Sequence, residues 1–115
     1  MFIYNKKLQY PVKIARCNPR LASVIISQYG GPDGELGASL RYLSQRFSMP
    51  FDEQKALLTD IGVEELGHLE MVGAIVHQLT RNLKEKDIEG TPLEQYFVDH
   101  TVGVFPTAAS GFPYT

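Results

Sequence analysis

Two carboxylates and one imidazole are the side chains of this sequence best suited to chemistry. Glu65 and His68 stand three residues apart in a stretch patterned as a long helix, so they share a face and can grip one cation. Glu35 lies on the preceding helical segment. A lone Glu from one helix with a Glu-x-x-His from its neighbour is half of the donor set that holds two metal ions inside a four-helix bundle. The sequence supplies that half once. Glu65 and His68 also fall on the stripe Ile61, Leu69, Val72, Val76 and Leu79, which turns both polar groups toward a bundle interior. A buried carboxylate needs a partner, and a cation satisfies the carboxylate and a neutral imidazole together. A purely structural polar network would do the same, and spacing leaves both readings open.

The elements that must position these residues are legible. Met1 to Ile14 alternates apolar and polar residues around Pro11 and reads as an extended arm, or an edge strand, that packs on something else. Asn18-Pro19 is a helix start, with Asn as N-cap and Pro at the first helical position. Gly30-Gly31 breaks this first helix into pieces over about 19–29 and 32–47, and Glu35 falls in the first turn of the second piece. After the turn Ser48-Met49-Pro50, a second helix runs from Phe51 to about Leu83, antiparallel to the first. Tyr42 is stacked two turns from Glu35, as a hydrogen-bond donor to a ligand carboxylate or as a core tyrosine with its hydroxyl satisfied. Gly34, Ala38 and Ser39 between them are small enough to leave room for metals, and Leu36, Leu40, Leu43 and Phe47 form an adjacent packing stripe. Thr91-Pro92-Leu93-Glu94 is a capping box over a short helix, and 102–115 is a Gly-, Pro- and aromatic-rich loop. The division is therefore an arm over 1–17, a helical pair carrying the donors over 18–88, and a tail over 89–115.

Composition narrows the class. An apolar content of 43% with 21% charged residues is ordinary for a globular chain, and the 115 residues make one domain. A net charge of −2, with cations scattered, gives no reason to expect nucleic acid. No apolar run reaches the length of a membrane span. Cys17 is the single cysteine, so no intrachain disulfide forms, and it reads as a small hydrophobe rather than a nucleophile. Glu64 and Glu70 point away from the site face, and His77 has no acidic residue three before it. His100 is a ligand only if the tail folds back. The segment Gly30-Gly31-Pro32-Asp33-Gly34 lacks the Lys-Ser/Thr ending of a phosphate loop and is explained as a helix break.

Longer motifs carry a resemblance. Lys7-Leu8-Gln9-Tyr10-Pro11, Tyr29-Gly30-Gly31 followed by Gly34-Glu35-Leu36, Arg41-Tyr42-Leu43-Ser44-Gln45, and Leu58-Thr59-Asp60-Ile61-Gly62 running into Glu64-Glu65-Leu66-Gly67-His68-Leu69-Glu70-Met71 resemble the non-haem manganese catalases, most of all their spore-coat branch in endospore-forming bacteria. The resemblance implies an all-α, ferritin-like helical hairpin, half of a four-helix bundle. It also implies two manganese ions, with Glu35 and His68 as terminal ligands, Glu65 bridging, and Tyr42 hydrogen-bonded to a ligand carboxylate. Hard oxygens with one imidazole per metal suit manganese or iron, and manganese rests on the family. The implied activity is disproportionation of hydrogen peroxide to water and dioxygen, one peroxide oxidising the two ions and a second reducing them.

Members of this family continue past a loop like 102–115 into a second helical pair carrying the remaining donors. The chain is then a fragment, or it pairs with a separate chain, or two copies combine their donors into a set of four Glu and two His. It is an enzyme if a second half or second copy completes the site. The alternative is a structural spore-coat interaction protein, or a catalytically incomplete fragment, that keeps the fold. Other spore-coat proteins are candidate partners, and spore coat or cytoplasm is the implied location.

Overall fold

A computed structural model describes residues 3–30 and 33–94 of the chain. Helices account for all regular structure among these residues, in the order α1 (Pro19–Ile25), a 3-10 turn (Ile26–Gln28), α2 (Glu35–Gln45), a second 3-10 turn (Arg46–Ser48), α3 (Asp52–Leu79) and α4 (Glu85–Ile88). Among the described residues the arm forms no strand and bends at 6–7, 9–10 and 15–16. The capping box expected at Thr91 does not close: Glu94 accepts from the Gly90 N–H at 3.0 Å rather than from Thr91, Thr91 Oγ1 accepts the Leu93 N–H at 3.3 Å, and the Glu94 N–H goes to the Thr91 backbone carbonyl. The helix it was expected to open, the loop over 102–115 and His100 lie outside the described residues.

The break in the first helix is real. Asn18 accepts the Leu21 N–H at 3.0 Å as N-cap, with Pro19 in the first turn. The second piece starts at Glu35, with Gly34 as N-cap in extended backbone. Gly34 is buried, and a Cβ there would stand 2.7 Å from the Gly30 carbonyl oxygen, so the chain can fold back tightly before Glu35 only without a side chain. This places the carboxylate of Glu35 in the first turn of α2, where the helix dipole favours it.

Helix α3 is the spine. Its C-terminal half holds α1 through a small core of Ala22, Val76, Leu79 and Leu93, with Ile14, Ile25, Ile26, Val72, Ile75 and Leu83 around it. Its N-terminal half packs along α2 at an interlock: the Ser39 hydroxyl, 1% exposed, donates to the Gly62 carbonyl at 2.7 Å, and the Leu43 side chain fills the place of a Gly62 Cβ. Arg46 reaches across to Thr59 Oγ1 at 3.1 Å. The helix stops at Leu79, short of the expected Leu83. Thr80 Oγ1 donates back to the Val76 carbonyl at 2.7 Å, and the Leu79 carbonyl is taken by the Asn18 N–H at 2.8 Å. The N-cap of α1 thus takes the carbonyl that would otherwise have continued α3.

The arm is strapped to α3. Gln78 accepts the Ile14 N–H and donates to the Val12 carbonyl, both at 2.7 Å, and Arg81 donates to the Ile14 carbonyl at 2.8 Å. Nearer the chain start, Gln9 donates to Glu64 and Tyr4 to Glu70. One expectation fails. Leu36, Leu40 and Phe47 are not packed but 39%, 58% and 77% exposed, because they lie on the side of α2 turned away from the donors and only Leu43 of that stripe reaches α3.

Candidate metal centre

The antiparallel packing of α2 on α3 brings the first turn of α2 beside the middle of α3. Ser39 and Leu43 on α2 and Gly62 on α3 mark the line of contact. One turn before Ser39 on the same helix stands Glu35; one turn after Gly62 stands Glu65, followed by His68. The interlock at Gly62 therefore sets how closely the three approach. Their donor atoms lie within 4.8 Å of one another. His68 Nδ1 is 3.1 Å from Glu65 Oε2 and 3.7 Å from Glu35 Oε2. A carboxylate only accepts, so the Nδ1–H donates to Glu65.

Electrostatics follow from this crowding. The Glu35 carboxyl is raised above its ordinary value, first by its hydrogen bond with Glu65 and then by burial, with His68 opposing. The Glu65 carboxyl is lowered, first by the hydrogen bond with Glu35, with His68 reinforcing and burial opposing. The opposite shifts have one cause, two carboxyl groups close enough that the charge on one disfavours charge on the other. A divalent cation satisfies all three groups, and two carboxylate oxygens with one imidazole suit manganese or iron. The residues present fit such an ion. The side chains of Glu65, Glu35 and His68 are 15%, 25% and 35% exposed, so the site sits half-covered on an open face rather than in the interior the sequence pattern suggested.

The other sequence candidates separate cleanly. Tyr42 is half-buried two turns along α2 from Glu35, and its hydroxyl has no hydrogen-bond partner among the described residues. Ser39, read as space for metals, is instead an interhelical hydrogen-bond donor. Exposed Glu64 and partly covered Glu70 serve the arm, exposed His77 lies in the last turn of α3, and Cys17 is partly exposed with Sγ 3.8 Å from the Gln78 carbonyl oxygen. Gly62 was missed. An isolated Gly inside an otherwise good helix was the available signal.

The family model described as manganese-containing catalase matches residues 1–115. The chain belongs to the manganese-containing catalase family. It is 49% identical over 115 residues to Protein CotJC of Bacillus subtilis (strain 168), covering 100% of this chain and 60% of that protein. A probable manganese catalase of Clostridium acetobutylicum is 35% identical over 117 residues, covering 100% of this chain and 52% of its own length. The crystal structure of KatB, a manganese catalase from Anabaena PCC7120, superposes with a TM-score of 0.69 at 32% identity, covering 100% of this chain and 51% of that one. The chain thus spans between half and three fifths of the length of these three relatives, and the ferritin-like helical fold of the family is the fold of this hairpin.

Proposed function

We propose that this chain carries one half of a dinuclear manganese site and that, once the site is completed, it disproportionates hydrogen peroxide to water and dioxygen. The observation that carries the proposal is the convergence of Glu35, Glu65 and His68 from two helices to within 4.8 Å, in a member of the manganese-containing catalase family. A manganese pair would supply two-electron exchange with peroxide. Glu35, Glu65 and His68 would hold the metal. Tyr42, on the same side of α2 as Glu35, orients a ligand carboxylate through its hydroxyl, with spore coat or cytoplasm as the location that the family resemblance favours.

The test is oxygen evolution from peroxide by the manganese-loaded protein, compared with Glu65→Ala and with iron loading. Evolution that needs manganese and Glu65 supports the reading. Bound manganese without evolution favours the second reading, a structural spore-coat interaction protein that keeps the fold. That reading draws on the likeness to Protein CotJC of Bacillus subtilis.

A further inference from the structure

The first helical segment runs down α3 in one register in spite of its break. Before the break, the Asn18 N–H bonds the Leu79 carbonyl, and Ala22 shares a core with Val76 and Leu79. After it, the Ser39 hydroxyl bonds the Gly62 carbonyl and Arg46 reaches Thr59. Glu35 stands between these two sets of contacts. Its hold is the weakest of the three donors by position. Glu65 and His68 lie in the middle of the 28-residue α3, whereas Glu35 is the first residue of α2. Helix ends fray, and no side chain caps this one among the described residues. A contact outside α2 must fix where Glu35 stands.

We infer that Tyr29 is a positioning residue for Glu35, its ring pinning the start of α2 against α3 so that the Glu35 carboxylate meets Glu65 and His68. The inference rests on the metal reading above and deepens it by naming what holds the third donor in place. Tyr29 precedes Glu35 by six residues, and its partly buried ring lies on α3 at Gly73. A Cβ at Gly73 would stand 3.0 Å from Tyr29 Cε2, 3.7 Å from Cδ2 and 3.9 Å from Cζ, so the ring edge takes the place of a side chain there. Gly73 follows His68 by five residues, which sets the ring about 7.5 Å from that donor along the helix axis. On the other side of the break, Gly34 is pressed against the backbone that flanks Tyr29. A Cβ at Gly34 would stand 3.0 Å from the Gln28 carbonyl and 2.7 Å from the Gly30 carbonyl oxygen. Movement of the ring therefore carries to Gly34, and so to Glu35, through backbone in direct contact, whereas Glu65 and His68 belong to α3 itself. The ring at Gly73 and the Ser39 hydroxyl at Gly62 are two stops on one helix, one on either side of Glu65 and His68.

The test is the manganese(II) affinity of the 115-residue protein, read by calorimetric titration, beside hydrogen exchange on the metal-free protein. Tyr29→Ala should weaken manganese binding about tenfold, the low end for losing a group that orients a ligand, with helical circular dichroism retained. Tyr29→Phe keeps the ring and should restore the parent affinity. Gly73→Ala displaces the ring from the α3 side and should weaken binding several-fold. Gln78→Ala loosens the arm and lowers stability away from α2. It should leave the affinity unchanged, which separates placement of Glu35 from a general loss of stability. In the metal-free protein, Tyr29→Ala should speed exchange of the Ala38 amide, whose 3.0 Å bond to the Gly34 carbonyl closes the first turn of α2. The amides around Glu65 should keep their protection.

Manganese bound equally by the parent, Tyr29→Ala and Gly73→Ala overturns the inference and leaves the metal reading standing. A Tyr29→Phe protein as weak as Tyr29→Ala also overturns it, because the ring is then not the contact that matters. So does an affinity that falls alike in Tyr29→Ala and Gln78→Ala, which makes the loss one of stability alone. A parent that takes no manganese overturns the metal reading, and the Ala38 exchange then decides by itself whether Tyr29 fixes the start of α2.

Discussion

Replacing Gly62 with Ala tests whether the closeness of α2 and α3 sets the site. A Cβ at Gly62 would stand 2.7 Å from Leu43 Cγ and 2.8 Å from its Cδ2, with the Leu43 backbone nitrogen at 3.4 Å behind them. Carbon contacts settle at about 3.5–4.0 Å, so Leu43 or the helix bearing it must retreat by roughly 1 Å. Leu43 Cγ is close to its own backbone, which leaves helix displacement as the main relief. Overpacking of this kind costs about 1–3 kcal/mol, against a helix-propensity gain of about 1 kcal/mol from removing the glycine. The balance is a loss of about 1 kcal/mol, a drop in the urea midpoint of roughly half a molar. Displacement also strains the 2.7 Å bond from Ser39 to the Gly62 carbonyl and moves Glu35 away from His68, now 3.7 Å distant. Manganese affinity should fall with stability. Urea denaturation with and without manganese reads both. A Gly62→Ala protein stabilised by the full propensity gain, with unchanged manganese affinity, would refute the reasoning that the interlock spaces the donors.

Other consequences follow from the same geometry. Because Glu35 is raised and Glu65 lowered, the pair stabilises the metal-free fold most between their two values. That contribution is lost as pH rises through the Glu35 value and, separately, as it falls through the Glu65 value. Manganese needs Glu35 bare, so its stabilising effect should grow with pH over the range where Glu35 titrates. Melting curves with and without manganese across pH measure this, and Glu35→Gln should flatten the trend. Glu65→Leu should abolish manganese binding while leaving the metal-free hairpin folded, since an apolar side chain removes the crowded carboxylate without leaving a buried charge; circular dichroism with metal analysis separates the two effects. Gln78→Ala removes both bonds that tie Val12 and Ile14 to α3, at about 1–2 kcal/mol. Hydrogen exchange at the Ile14 amide should accelerate while the amides around Glu65 stay protected.

The donor triad was legible because it rests on local rules. Three-residue spacing puts Glu65 and His68 on one face, and the Gly30-Gly31 break returns the chain so that Glu35 opens the next helix. Asn18 and Pro19 announced α1 through cap chemistry that acts within one turn. What the sequence concealed depends on partners distant along the chain. Leu36, Leu40 and Phe47 have the spacing of a packing stripe, yet periodicity cannot say whether an apolar face finds a partner, and these three are exposed. The end of α3 at Leu79 depends on Asn18, 61 residues earlier, capturing its carbonyl. Ser39 looked like spare volume when read singly and Gly62 drew no reading at all; only their pairing across 23 residues makes them the spacer of the site.

The central claim, that Glu35, Glu65 and His68 form a manganese site, is tested most directly by metal content. Protein produced in manganese-supplemented medium and freed of loose ions is analysed for manganese per chain, beside Glu35→Ala, Glu65→Ala and His68→Ala. About one manganese per chain, lost in each variant while helical content persists, is the predicted result. Manganese absent from the parent protein, or retained equally by all three variants, would contradict it.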